Sequence, residues 1–228
     1  ERLRTRAAQQ FPDYLLPLNQ AGSLLTLMPA LGSGTNAQPF GTVQEYENWL
    51  KRLDGMVVWM DQAIINMSEG IRVGVVQPRP VMEKVLPQLD AMIVAKPDDS
   101  VYFAPIRAFP EDEGFSADER ARLTQAYTAA IRDKLVPAYT RLRDFVRDTY
   151  LPKTRDTVAW SALPNGQAWY AFNVQERTTT SMTPDEIHQL GLSEVARILG
   201  EMDQVRQAVE FKGDREAFFK FLETDPQF

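Results

Sequence analysis

The stretch TPDEIHQLGLSEVARILGEMD, residues 183–203, holds the single histidine of the chain, His188, among aspartates and glutamates. Asp185 stands three residues before His188, and a carboxylate and a histidine at this helical spacing form half of a dimetal site. Such a site needs the same pair on a second helix, and the chain has no second histidine. One histidine with carboxylates alone is an unusual ligand set for zinc. The residues therefore predict no metal site at His188.

A helical wheel of this stretch places His188 at the flank of an apolar arc. This position predicts a partly buried imidazole that bonds to a backbone carbonyl or to Asp185. Glu194 falls inside the arc, where a buried carboxylate is costly unless it is paired. We expect an arginine, a backbone N–H or a ligand to meet it, and an internal Arg–Glu pair is the favoured partner. The arc consists of Ile187, Leu190, Val195, Ile198, Met202, Val205 and Val209.

No other catalytic constellation is present in the sequence. It has no GxSxG, GxGxxG or GxxxxGK[ST] motif, and the run GSG at 32–34 is too short for a phosphate loop. The acidic run Glu111, Asp112 and Glu113 is expected to be a solvated loop. The aromatic residues Trp160, Trp169, Tyr170 and Phe172 could line a groove, but core packing is the favoured interpretation. No residue is predicted to be catalytic.

Composition restricts the class of protein. The chain has 228 residues, a formal charge of −6 and 44% hydrophobic residues, enough for a sizeable core and unfavourable for nucleic-acid binding. It contains no cysteine, which removes disulfides and thiolate ligands. No apolar run is long enough for a transmembrane segment. The first and last residues suggest a segment of something longer.

Helix-start signals occur at three places, where Ser or Thr is followed three residues later by Glu. These capping boxes are Thr42/Glu45, Ser116/Glu119 and Thr183/Glu186, and they make the three glutamates helix caps. Apolar residues recur at helical spacing after each one, for some seven turns after Thr42. The sequence predicts a mainly α fold, an irregular multi-helix bundle with long kinked helices. Residues 1–228 are expected to form a single helical region, the N-terminal part of a longer protein.

Prolines and a few extended segments are expected to interrupt the helices. Pro87 should kink or split a helix that starts at Pro80, and Pro137 should interrupt the helix that follows Ser116. Loops are predicted at 27–41 and 163–182. Within the second loop, residues 169–180 suit either a short strand or a helix followed by an extended loop, so the fold has at most a short strand or hairpin near 163–180.

The run LPNGQAWYAFNVQERTTTSMTPDEIHQLGLSEVARILGEMDQV resembles the bacterial domain-of-unknown-function family 885. The features are Gly166 to Tyr170, the paired Thr178 and Thr179, and the helix after Thr183. FPDYLLPLNQ, GTVQEYENWLKRL, VMEKVLPQL and KLVPAYTRLRDFVRDTYLPKTR extend the likeness over nearly the whole chain.

The resemblance implies a long, mostly helical protein that is grouped with zinc metallopeptidases and is often secreted or a lipoprotein. The family's metal motif, a His-Glu pair followed by Pro-Gly-His, has no counterpart in this chain. The resemblance therefore implies zinc only for a missing C-terminal part, and a periplasmic or lipid-anchored location, with a cytoplasmic one still open.

This chain would then be the non-catalytic N-terminal half of a zinc-dependent peptidase-like protein. It would wall a substrate cleft, pack against its own C-terminal catalytic half and contact a peptide substrate. Tyr170, Arg177, His188 and Glu194 are the expected cleft-lining residues. The alternatives are a free-standing helical binding module and a heme-type bundle with His188 as an axial ligand.

Overall fold

The computed structural model describes residues 12–34, 36–109 and 114–228, and these residues are mainly α-helical without a strand. The mainly α prediction is confirmed. Among the described residues, internal contacts define a large unit that ends at Gln167 and a small unit, Ala168–Phe228. The acidic run at Glu111, Asp112 and Glu113 lies outside the described residues. The extent of the predicted helical region, 1–228, stays a prediction.

The large unit contains six α-helices among its described residues. They are α1 (Leu24–Gly32), α2 (Val43–Val73), α3 (Arg79–Asp90), α4 (Ala104–Arg107), α5 (Ala117–Ala130) and α6 (Val136–Phe145). Two π-helical segments, Ile131–Leu135 and Val146–Tyr150, continue α5 and α6. Short 3₁₀ turns occupy Asp13–Leu15, Pro97–Asp99, Val101–Phe103, Leu151–Lys153 and Trp160–Ala162. Helix α7 (Gly166–Thr178) begins at the unit boundary, and α8 (Pro184–Ala208) and α9 (Arg215–Thr224) follow in the small unit.

All three predicted capping boxes are confirmed. Thr42, Ser116 and Thr183 each accept a hydrogen bond from the backbone N–H of the glutamate three residues later, and each glutamate bonds back to the cap. The backbone N–H of Ser116 lowers the pKa of the Glu119 carboxyl because it donates to the ionised form. These glutamates are engaged at helix ends and serve as caps.

Helix α2 forms the centre of the large unit because its apolar positions recur along one stripe. The buried residues are Tyr46, Trp49, Leu53, Met56, Met60, Ala63, Met67 and Gly70. Tyr127 Oη donates to the Tyr46 carbonyl, Lys134 Nζ lies 2.5 Å from Asp54 Oδ1, and Arg141 lies 2.8 Å from Asp61 Oδ1. The contacting residues occur in the same order along α2 and along the continuous helix that α5, α6 and their π-helical segments form, which we call the α5–α6 rod. Helix α2 therefore runs parallel to this rod.

Helix α3 runs antiparallel to α6. A bridge joins Pro78, before α3, to Arg155, while Asp90 at the other end of α3 accepts a 2.9 Å hydrogen bond from Arg143. Pro87 lies inside α3, which continues to Asp90, so the predicted split does not occur.

The prolines of the rod coincide with its π-helical segments. Pro137 follows the segment Ile131–Leu135, and Pro152 follows the segment Val146–Tyr150. A proline lacks the N–H for an i−4 bond and its ring crowds the i−4 carbonyl, and a π turn widens the helix at that point. The interruption expected at Pro137 is therefore a π turn.

Two predicted loops are shorter than expected. Leu27–Gly32 belongs to α1, where a Cβ on Gly32 would come within 2.7 Å of the Trp49 ring and 2.9 Å of the Tyr102 ring. The loop therefore starts at Ser33. Residues 166–178 form α7, so the helix-then-loop alternative for 169–180 is the correct one.

The turn before α7 requires glycine at position 166, where the helix begins. Asn165 has φ of 58°, the Gly166 N–H donates to the Leu163 carbonyl, and a Cβ on Gly166 would lie 2.0 Å from the Trp160 carbonyl oxygen. Only glycine fits this approach, which fixes where α7 begins.

Candidate functional site

Tyr170 and Arg177 lie on one face of α7. Their seven-residue spacing is two helical turns, so the two side chains point within about 20° of each other. Tyr170 is 48% exposed and Arg177 is exposed as well. Among the described residues, no carboxylate lies within ion-pairing distance of the Arg177 guanidinium. Among the described residues, this face therefore presents a phenol and an unpaired guanidinium to solvent.

The remaining aromatic residues near Tyr170 are mostly core. Trp169 is 7% exposed and Phe172 is 8% exposed, which agrees with the core interpretation for these two, and Trp160 is half-buried. Tyr170 is 48% exposed, so the core interpretation is wrong for this residue.

The end of α7 is strained at Thr179. Its φ of 59° is left-handed, which is uncommon for a β-branched residue, and its N–H donates to the Gln175 carbonyl at 2.9 Å to close the helix. The Thr178 and Thr180 hydroxyls lie 3.1 Å apart. The paired threonines noted in the sequence thus terminate α7.

His188 is exposed on α8, so the prediction of a partly buried imidazole is wrong. No hydrogen bond joins it to Asp185 within the described part of the chain. The described residues contain no group of three or more His, Cys, Asp and Glu side chains that could hold a metal ion.

Glu194 has an arginine partner, but the expected burial is wrong. Its Oε2 accepts a 2.9 Å hydrogen bond from Arg197 Nε, and Arg197 also lies 2.6 Å from Glu201 Oε1. The Glu194 side chain is 48% exposed and that of Arg197 is 52% exposed. The carboxylate is not buried because the apolar arc around it is itself open to solvent.

The apolar arc of α8 is uncovered along its length. Helix α8 has no buried residue. Five aliphatic side chains between 40% and 58% exposed fall within an arc of about 140°. We call this set the α8 face: Leu190, Val195, Ile198, Val205 and Val209. Full burial of such a side chain contributes about 1.5–3 kcal/mol of stabilisation. Because each one is about half exposed, roughly 1 kcal/mol of that stabilisation is missing per side chain.

The α8–α9 connection fixes the C-terminal end of this face. The Asp203 carboxylate accepts hydrogen bonds from Arg206 and Arg215, and the Arg215 bond lowers the pKa of Asp203. The Phe211, Phe218 and Phe221 rings pack together with centroids 5.1–6.4 Å apart. These contacts join α8 and α9 outside the apolar arc of α8, so they leave that arc exposed.

An open groove of about 390 Å³ also lies in the large unit. Asp13, Tyr14, Trp59 and Asn66 are among its lining residues. It combines aromatic and polar groups, but it is shallow. Sequence patterns gave no sign of it because its residues come from a 3₁₀ turn, the connection that follows it, the first residue of α1 and the outer side of α2.

The chain is a member of the family described as "Bacterial protein of unknown function (DUF885)", whose model matches residues 1–228. Among solved structures it is similar to the putative lipoprotein from Colwellia psychrerythraea, with a TM-score of 0.79 and 21% identity. The match covers 92% of this chain and 36% of that chain, so the chain spans about a third of its structural neighbour. No curated protein matches the sequence. Of the helices in the described residues, none is both long and apolar enough to traverse a bilayer.

Proposed function

We propose that this chain is the non-catalytic helical part of a longer protein, in which it walls a substrate cleft. The observation that carries the proposal is the length relation, because the chain matches only 36% of its structural neighbour. The residues agree with it. The glutamates at the three capped helix starts are engaged as caps. The groups that perform the chemistry would then lie in the remaining polypeptide.

The reaction class that we propose for the longer protein is zinc-dependent peptide hydrolysis. It rests on the resemblance, in which a His-Glu pair followed by Pro-Gly-His would hold the metal outside this chain. A zinc ion held there would supply Lewis-acid activation of a water molecule. An envelope location is part of the proposal, since the structural neighbour is described as a lipoprotein.

Within the small unit, we assign the substrate contact to Tyr170 and Arg177. A guanidinium without a carboxylate partner can bind a peptide carboxylate through two N–H groups, and an exposed phenol beside it can pack against a side chain. His188 and Glu194 sit on α8, where Glu194 is already bound to Arg197. They therefore suit the substrate less well than the α7 pair.

The experiment compares the intact protein, as its gene encodes it, with the 228-residue chain. We expect about one zinc per intact protein by metal analysis, cleavage of peptides by the intact protein, and neither property in the 228-residue chain. Tight stoichiometric zinc on the 228-residue chain would contradict the proposal, and so would an intact protein that lacks any further polypeptide.

A second candidate is a free-standing helical binding module, and the exposed α8 face favours it because a partner could dock there. It predicts that the 228-residue chain is monodisperse at all concentrations and that nothing follows it in the gene. Sedimentation velocity of the 228-residue chain mixed with the separately produced remainder of the intact protein separates the two, since a severed part with an open face should bind the polypeptide that it lacks and a free-standing module should not.

A further inference from the structure

We propose that the α8 face is the surface on which the remaining polypeptide of the same protein packs. This assignment rests on the proposed function and names the partner that it requires. The face is the set already defined, Leu190, Val195, Ile198, Val205 and Val209, each at least 40% exposed.

A comparison with α2 shows that the α8 face lacks a cover. Both helices are long, 31 and 25 residues, and both carry an apolar stripe at helical spacing. Helix α2 buries eight residues of its stripe, whereas α8 buries none. An amphipathic helix whose apolar side meets only water is incomplete in this chain.

The charges beside the face indicate the chemistry of its partner. Arg197 bonds to both Glu194 and Glu201, so three charged groups leave one net negative charge next to the aliphatic residues. The expected partner is therefore an apolar surface with a basic residue opposite this cluster. A second copy of α8 would bring a like charge instead.

The size of the face also favours a tethered partner. A stable interface between separate proteins takes on the order of 20 residues from each side, many more than the α8 face provides. A segment of the same chain is held at high effective concentration and needs less contact. The structural neighbour carries almost two thirds of its chain outside the matched part, which is ample for such a segment.

Single cysteine variants test the proposal because the chain contains no cysteine. Val205→Cys places a thiol on the face, and Gln207→Cys places one on the exposed opposite side of α8. Each is made in the 228-residue chain and in the intact protein, and the labelling rate with a maleimide is followed at that peptide by mass spectrometry. We expect Val205→Cys to react at least about tenfold more slowly in the intact protein, with Gln207→Cys unchanged.

Equal rates for Val205→Cys in the two proteins would overturn the proposal. Protection that grows with the concentration of the 228-residue chain would also overturn it, because the occupant would be a second copy. Equal rates in an intact protein that binds zinc and cleaves peptides would refute the packing surface alone. Protection in an intact protein without zinc or activity would support the packing surface and contradict the peptidase.

Discussion

The hydroxyl groups of Tyr102 and Tyr139 lie 2.6 Å apart in the core of the large unit, and both side chains are fully buried or nearly so. Tyr102 comes from the 3₁₀ turn Val101–Phe103 and Tyr139 from α6, so this hydrogen bond joins two distant parts of the sequence. One hydroxyl donates and the other accepts. Neither has access to water, so each depends on the other.

Removal of both hydroxyls should therefore cost less than the sum of the two single removals. Tyr139→Phe leaves the Tyr102 hydroxyl buried without its partner, which should lower the free energy of unfolding by about 1–3 kcal/mol. Tyr102→Phe should do the same. The double variant Tyr102→Phe/Tyr139→Phe should lose less than the sum of the two, which urea denaturation of the three variants measures. Additive losses would contradict a coupled pair.

Alkaline pH should destabilise the large unit through its buried tyrosines. Burial raises the pKa of Tyr46, Tyr139 and Tyr150 to about 12, whereas an unfolded tyrosine titrates near ~10. Below about pH 10 both states keep the proton and this contribution to stability is complete. Between about pH 10 and 12 only the unfolded state releases it, so the free energy of unfolding falls by about 1.4 kcal/mol per pH unit and group.

Urea denaturation at pH 8, 9, 10 and 11 measures this decline. Stability should be level up to about pH 9 and then fall steeply. Tyr139→Phe removes one of the groups and should make the fall shallower. Stability that stays level to pH 11 would show that these hydroxyls are not held in their neutral form.

The helices were predictable because their signals are local. Three helix starts could be read from the sequence because the side chains of Thr42, Ser116 and Thr183 form hydrogen bonds within one turn. Helix α2 could be read because its apolar residues recur at a fixed period. The Tyr102–Tyr139 pair had no such signal. Tyr102 sits in a 3₁₀ turn without periodicity, and its partner is 37 residues away.

Glu194 shows what a pattern leaves open. Its position on the apolar arc of α8 followed from the sequence, and an arginine partner was expected. The wheel identifies the apolar side of a helix but not whether another segment covers it. No residue of α8 is buried within the described part of the chain, so the burial that was expected for Glu194 and His188 does not occur.

Two helical glycines, Gly32 at the end of α1 and Gly55 inside α2, should respond in opposite directions to alanine. A Cβ on Gly32 would meet the Trp49 and Tyr102 rings at 2.7 and 2.9 Å. Gly32→Ala should therefore cost about 1–3 kcal/mol through overpacking. Gly55, inside α2, has no atom within 4 Å of its would-be Cβ apart from the backbone of its own helix and its chain neighbours, so Gly55→Ala should gain about 0.5–1 kcal/mol from helix propensity. Thermal unfolding by circular dichroism compares them, and a loss in both would contradict the open space at Gly55.

The strain at Thr179 gives a further stability prediction. Thr179→Gly should raise the free energy of unfolding of the small unit by about 1 kcal/mol, because glycine adopts the left-handed conformation without a steric cost. Thr180→Gly is the matched control, since Thr180 has negative φ and should only lose stability. Protection of α7 amides in hydrogen exchange measures both variants. If Thr179→Gly lowers protection, the left-handed turn is not strained.

Arg177 tests the substrate contact that we propose on α7. In the intact protein, Arg177→Ala should raise KM for a peptide with a free C-terminal carboxylate by about tenfold or more, because a charge-assisted hydrogen bond contributes about 1.5–3 kcal/mol. The kcat should change little, since the side chain binds the substrate away from the metal. Arg177→Lys should recover part of the affinity because it keeps the charge but loses the bidentate geometry.

Two controls separate binding from a general loss of structure. A peptide with an amidated C-terminus should show the same KM with the original protein and with Arg177→Ala, because it lacks the carboxylate. Arg132→Ala removes another exposed arginine, which bonds to the neighbouring Asp133, and should leave both constants unchanged. A raised KM for the amidated peptide as well would mean that Arg177 supports the fold of α7. An unchanged KM for both peptides would place the substrate elsewhere.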